Sequence, residues 1–167
     1  MKKQIMIGIF LLAGLLASGC RTRERSKHNE LVGAWQGKVQ FKSGAFAAVK
    51  DLEFMYVFNV GGTMTESSNY DGAPPVPPAY GVWRKTGPRQ FEARYEFYST
   101  KSPANFDEIK GGGGWLPSGR GVLLEHITLS KDGRTFTSVI KYNAFDKNGK
   151  STESGSEAET EAVRMEF

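Results

Sequence analysis

Residues 131–149, KDGRTFTSVIKYNAFDKNG, decide the fold class of this chain. The stretch opens and closes on turn sequences, Asp132-Gly133 at its start and Asn148-Gly149 at its end. Both dipeptides suit the positive φ angles that tight hairpins require. Between them, every second residue from Phe136 to Tyr142 shares one face with the period of two that is typical of a β-strand, and three of these four residues, Phe136, Ile140 and Tyr142, are apolar. The stretch therefore predicts one strand held between two hairpin turns.

The same alternation continues on both sides of this stretch and predicts eight strands in all. Further predicted turns lie at Gly61-Gly62 and at Thr86–Arg89, and a loop rich in Pro and Gly lies near residues 71–81. The region 99–119 is predicted to be one long irregular connection, in which Gly111–Gly114 form a flexible lip over one barrel opening. No amphipathic helix is predicted. The strands are predicted at about 33–42, 50–59, 63–67, 80–85, 121–130 and 151–164, around Phe91–Tyr98 and around Phe136–Tyr142.

Eight consecutive strands with mostly short turns indicate an all-β fold, an antiparallel up-and-down β-barrel of about eight strands. Closure gives the last strand, rich in Ser, Thr and Glu, two neighbours instead of one. A sandwich of two sheets is the alternative. At 167 residues the chain has room for one domain, predicted to cover residues 30–167.

The N-terminus has the three parts of a secretory signal over residues 1–19. Lys2 and Lys3 precede an apolar run, and small residues lead into Cys20, the only cysteine of the chain. The end of this segment resembles the lipobox of bacterial lipoproteins. That resemblance implies acylation of Cys20 and a protein anchored by lipid in the cell envelope, at the outer membrane facing the periplasm if the cell has two membranes. Residues 20–29 are polar and are predicted to form a tether.

Gly33-Ala34-Trp35 lies at the start of the first strand, and Arg164 lies near the end of the last. This pair resembles the Gly-x-Trp motif and the facing Arg of lipocalins and related calycin barrels, with allene oxide cyclase-like barrels as neighbours. Since the middle lipocalin motif has no counterpart here, the resemblance is lipocalin-like in the wider calycin sense. It implies that Arg164 packs across the Trp35 ring. Closure of an antiparallel barrel independently brings the two residues to the same end, within reach of a cation–π contact.

Composition and motifs exclude several kinds of function. Without Lys2 and Lys3 the chain has 20 basic and 18 acidic side chains, mostly scattered, so nucleic-acid binding is not expected. There are two histidines, no Gly-x-Ser-x-Gly elbow and no phosphate-binding loop after Gly111–Gly114. With Cys20 acylated, no cysteine is left for a disulfide, a nucleophile or a metal. No metal and no cofactor are therefore predicted.

Strand six carries the two candidate catalytic residues, Glu125 and His126, on opposite faces. Both faces mix apolar and polar side chains, so the sequence leaves open which residue points inward. An inward Glu125 would have a raised pKa unless a cation or a donor faced it.

Two function classes follow. The first is a binding module that holds a small apolar or amphipathic molecule and meets the membrane through its lipid anchor, with the oligomeric state left open. The second is a barrel cyclase or isomerase that uses Glu125 or His126, and a structural envelope lipoprotein with a filled barrel is a third possibility. The predicted ligand-binding residues are the aromatic ones on strands two, five and seven: Phe54, Tyr56, Tyr95, Phe97, Phe136 and Tyr142.

Overall fold

The computed structural model describes residues 30–70, 77–110 and 116–167. Leu31–Phe167 form one compact unit. The predicted signal peptide, the acylation site Cys20 and the tether all lie outside the described residues, and so does the predicted lip, Gly111–Gly114. The strands are β1 (Gly33–Phe41), β2 (Leu52–Phe58), β3 (Thr63–Ser68), β4 (Ala79–Gly87), β5 (Gln90–Lys101), β6 (Leu116–Leu129), β7 (Thr135–Asp146) and β8 (Ser151–Arg164), with a 3-10 helix at Ala45–Ala48 and a short helix α1 at Phe106–Lys110.

Each strand pairs antiparallel with the next, and β8 pairs with β1, so the sheet closes into an eight-stranded up-and-down barrel. The predicted fold class is confirmed, and the two-sheet sandwich is excluded. In the closing pair Trp35 lies opposite Arg164 and Phe41 opposite Ala158. Closure satisfies the backbone of the polar strand β8 from both sides, which a sandwich edge would not do.

Residues 99–101 and 116–119, which were predicted to belong to one long irregular connection, are strand. Strand β5 continues to Lys101 and β6 begins at Leu116, and the two strands pair across this extension with a register shift at Ser99 and Thr100. Main-chain hydrogen bonding extends the strands although apolar alternation has ended, so the side-chain pattern could not reveal it. The helix α1 was also not predicted; it has five residues. No helix in the described ranges is long and apolar enough to cross a membrane.

Large side chains fill the barrel at the end where β1 begins, which we call the packed end. The Trp35, Phe58 and Phe136 rings are fully buried there, and the Phe136 ring contacts both of the others, with centroids 5.0 Å from Trp35 and 6.4 Å from Phe58. Phe91 and Leu129 are also buried. This half of the barrel is a packed core of the kind that small barrels form from their inward side chains.

Arg164 covers Trp35 at the packed end. Its guanidinium carbon lies 4.2 Å from the indole centroid, so the predicted cation–π contact is present. The guanidinium also donates hydrogen bonds to the carbonyl oxygens of Val32 and Gly133. Gly33 has a φ of +137°, and a Cβ atom there would lie 2.7 Å from Arg164 Nη1. The first residue of the Gly-x-Trp motif must therefore be glycine for the guanidinium to reach the ring.

Candidate functional site

A pocket of about 210 Å³ opens at the other end of the barrel, where β1 ends. We call this the pocket end. Seven of the fourteen described residues that line it are aromatic, so most of this wall is apolar. The lining consists of Phe41, Phe46, Leu52, Phe54, Glu66, Ser68, Tyr70, Pro77, Phe97, Tyr98, Ser99, Thr100, Leu123 and Tyr142.

Gly121, an inward residue of β6, leaves space for two aromatic side chains of the pocket wall. Gly121 of β6 faces the rings of Phe97 and Tyr142, whose planes lie within 5° of parallel and whose centroids are 6.3 Å apart. A Cβ atom at Gly121 would lie 2.4 Å from the Phe97 ring and 2.8 Å from the Tyr142 ring. Glycine at this position is what lets the two rings stand side by side along the pocket wall.

The 3-10 helix between β1 and β2 places Phe46 over the side of the pocket. Its ring contacts Phe41, Tyr70 and Tyr142 at centroid distances of 5.3, 5.7 and 5.4 Å. The backbone N–H of Ala45 donates to the Glu153 carboxylate of β8, 3.2 Å away, which ties this connection to the barrel. A hydrogen bond and three ring contacts therefore hold Phe46 in place as part of the wall.

Glu66 of β3 forms the polar floor of the pocket. Ser68 lies nearer the opening, and Met64, the next inward residue below Glu66, no longer lines the pocket. The Glu66 side chain is only 6% exposed, and its Oε1 atom has no hydrogen-bond partner among the described residues. Burial and the nearby Glu125 carboxyl raise the pKa of Glu66 to about 8.

Glu125 lies beneath this floor in a closed hydrogen-bond cluster. The Tyr95 hydroxyl donates to its Oε2 at 2.8 Å, the Tyr56 hydroxyl to its Oε1 at 3.5 Å, and the Ser138 hydroxyl also donates to Oε1. Burial raises the pKa of Glu125 to about 7, although the three donors stabilise its charged form and oppose the rise. Glu125 is fully enclosed and does not line the pocket.

The structure places the predicted ligand-binding and catalytic residues in different parts of the barrel. Phe54, Phe97 and Tyr142 line the pocket, whereas the other three aromatic residues, Tyr56, Tyr95 and Phe136, are buried below it. On β6 it is Glu125 that points inward. His126 lies on the outer surface, where its Nδ1 is 3.5 Å from a Glu92 carboxylate oxygen.

Sequence reasoning missed Glu66. The third predicted strand, Thr63–Ser67, was the most polar of the eight, and its alternation was too short to assign an inward face. The available signal was Met64, whose parity places Glu66 and Ser68 on the same face. The predicted strand also ended one residue short of Ser68, the other polar residue that β3 contributes to the pocket.

Within the described ranges no three His, Cys, Asp or Glu side chains cluster closely enough to hold a metal ion. No family model, no curated protein and no solved structure matches this chain. The fold and the site define a class, a closed eight-stranded up-and-down barrel with an apolar pocket at one end and a buried carboxyl on its floor.

Proposed function

We propose that this chain is a lipid-anchored cell-envelope protein that binds one small apolar or amphipathic molecule in the pocket of its lipocalin-like barrel. The pocket itself carries the proposal: its walls are largely aromatic and its polar groups are few. Ligand sites commonly combine an apolar wall with a few polar groups that orient the ligand.

The size of the pocket supports a small ligand. An apolar cavity of about 150 Å³ in a protein core is enough to hold benzene, and this pocket measures about 210 Å³ and opens to the surface. A single aromatic ring with a short substituent therefore fits. A ligand with a longer chain would extend through the opening.

The positions of the two candidate catalytic residues favour binding over a cyclase or isomerase. A general acid or base must come within hydrogen-bond reach of the proton it transfers. Glu125 is enclosed below the pocket by Tyr56, Tyr95 and Ser138, and His126 is on the outer surface. The pocket also argues against the third possibility, a structural lipoprotein whose barrel is filled from end to end.

The envelope location rests on the N-terminal sequence. The segment that ends at Cys20 resembles the signal of bacterial lipoproteins, and several acyl chains hold a protein stably on a membrane where one does not. A barrel held at a membrane surface would meet amphipathic molecules at high local concentration. This supports a role in binding such molecules at the outer membrane, on its periplasmic side in a cell with two membranes.

Binding of an environment-sensitive apolar dye tests the pocket. Two neighbouring serines of β3 provide a matched pair of variants: Ser68 lines the pocket and Ser67 is exposed outside the barrel. We expect wild type and Ser67→Trp to bind about one dye per chain, and Ser68→Trp to bind none, because the indole occupies the pocket. Equal binding by the two tryptophan variants would refute the pocket as the site.

A further inference from the structure

We propose that the pocket selects an organic cation, with the ammonium group of the ligand against Glu66 and its apolar body among the aromatic walls. The inference rests on the proposed function, because it requires that the pocket binds a ligand. It adds the chemical class of that ligand.

Glu66 carries the one carboxyl among the described residues that line the pocket. It is more than nine-tenths buried, and its Oε1 lacks a hydrogen-bond partner among the described residues. Buried polar atoms in proteins nearly always have a partner, so an orphan on the floor of a pocket is a place where a ligand can supply one. Glu125 makes the contrast clear, since three hydroxyl donors satisfy its carboxyl from within the protein.

The surroundings of Glu66 favour a cation over an anion. Three titratable groups interact electrostatically with the Glu66 carboxyl: Tyr56 of β2, Tyr95 of β5 and Glu125 of β6. The residue paired with Glu66 on β4, Ala79, is apolar. Each of these neighbours of Glu66 is either neutral or negatively charged. A carboxylate ligand at this floor would face two carboxyls without a counter-charge, whereas an ammonium group would provide the missing positive charge in a medium of low dielectric constant.

The aromatic walls suit the same ligand. The faces of aromatic rings attract cations, and clusters of such rings bind quaternary ammonium groups. Phe54, Phe97 and Tyr142 line the pocket together with Glu66, so rings and carboxyl are within one cavity. A cation with an aromatic or branched apolar body would contact both.

The protonation state of Glu66 should make the affinity for a cation depend on pH. Burial, together with the Glu125 charge, keeps the pKa of Glu66 at about 8, so the carboxyl is mostly neutral below that pH. A cation binds the ionised form and therefore displaces the proton. Affinity for a cation of fixed charge should rise with pH, by up to about tenfold per pH unit, until the pH passes about 8. A neutral ligand that accepts a hydrogen bond from the protonated carboxyl should show the opposite trend.

The test compares two probes of nearly the same shape, phenyltrimethylammonium and its uncharged analogue tert-butylbenzene. Binding to the full chain in a nonionic detergent is measured by equilibrium dialysis, and Ser68→Trp in the same detergent provides the background. We expect the cation to bind more tightly as pH rises from about 6 to 8, while tert-butylbenzene binding does not increase. Glu66→Gln should weaken cation binding by at least about tenfold at pH 8 and leave the neutral probe bound.

Retained binding of tert-butylbenzene also shows that the Glu66→Gln barrel is folded, and the pH series on the wild-type chain tests the charge requirement without any variant at Glu66. If tert-butylbenzene binds above the background but the cation does not, or if cation binding is independent of pH and of Glu66, the proposal is overturned while the pocket stands. If neither probe exceeds the Ser68→Trp background, the proposed function fails, and the selectivity for cations fails with it.

Discussion

Removal of Trp35 should be among the most destabilising single changes in this barrel. The indole is fully buried at the packed end, lies 5.0 Å from the Phe136 ring, and donates from Nε1 to the Leu31 carbonyl oxygen at 2.9 Å. Trp35→Ala leaves a cavity of ring size, for which the expected cost is about 3–5 kcal/mol. The lost hydrogen bond and ring contact place the value in the upper part of that range.

Arg164 should be energetically coupled to Trp35 because the two side chains touch. Arg164→Met keeps much of the aliphatic stem but removes the cation, 4.2 Å above the indole, and the hydrogen bonds to Val32 and Gly133. The cation–π contact depends on both partners, and for this partly exposed guanidinium we expect about 1 kcal/mol from it. The double variant should therefore lose about 1 kcal/mol less than the sum of the two single losses.

Urea unfolding of the wild type, the two single variants and the double variant gives the coupling energy, with the slope of the transition checked for each. Trp83 provides the control, since it lies on β4, four strands away from β8 around the barrel. Trp83→Ala combined with Arg164→Met should be additive. A coupling energy for Trp35 and Arg164 below about 0.3 kcal/mol would refute the reasoning, because separate sites add within about that margin.

Two further predictions concern the buried Glu125 carboxyl and the lipid anchor. Burial raises the pKa of Glu125 from 4.5 to about 7, so the folded chain binds a proton that the unfolded chain releases, and the free energy of unfolding should fall as pH rises across that window. Glu125→Gln should make this fall shallower by up to about 1.4 kcal/mol per pH unit in urea unfolding, and equal slopes in both proteins would contradict the assigned burial. Mass spectrometry of the N-terminal peptide should find Cys20 acylated, and Cys20→Ala should leave either an uncleaved precursor or a protein in the soluble fraction. A free Cys20 thiol in the wild type would exclude the lipid anchor.

Much of the fold was predictable because strands and hairpin turns have recognisable local sequence patterns. Alternation along β2, β5 and β7 assigned one aromatic face to each strand, and Asp132-Gly133 and Asn148-Gly149 marked two of the connections. Closure followed from the meander of eight strands, and it brought Trp35 and Arg164 together as expected. Residues 99–101 and 116–119 were not predicted as strand, because there β5 and β6 are extended by backbone pairing and not by a side-chain pattern.

The sequence by itself determined which side chains share a strand face, since a period of two is a property of each strand alone. Only the tertiary structure decided the depth of each inward residue in the barrel. Depth separates Phe54, which lines the pocket, from Tyr56 two residues away, which is buried below it. The tertiary structure also encloses Glu125 and places Glu66 on the pocket floor. The burial of a carboxyl depends on the strands that pack around it and not on its neighbours in the chain.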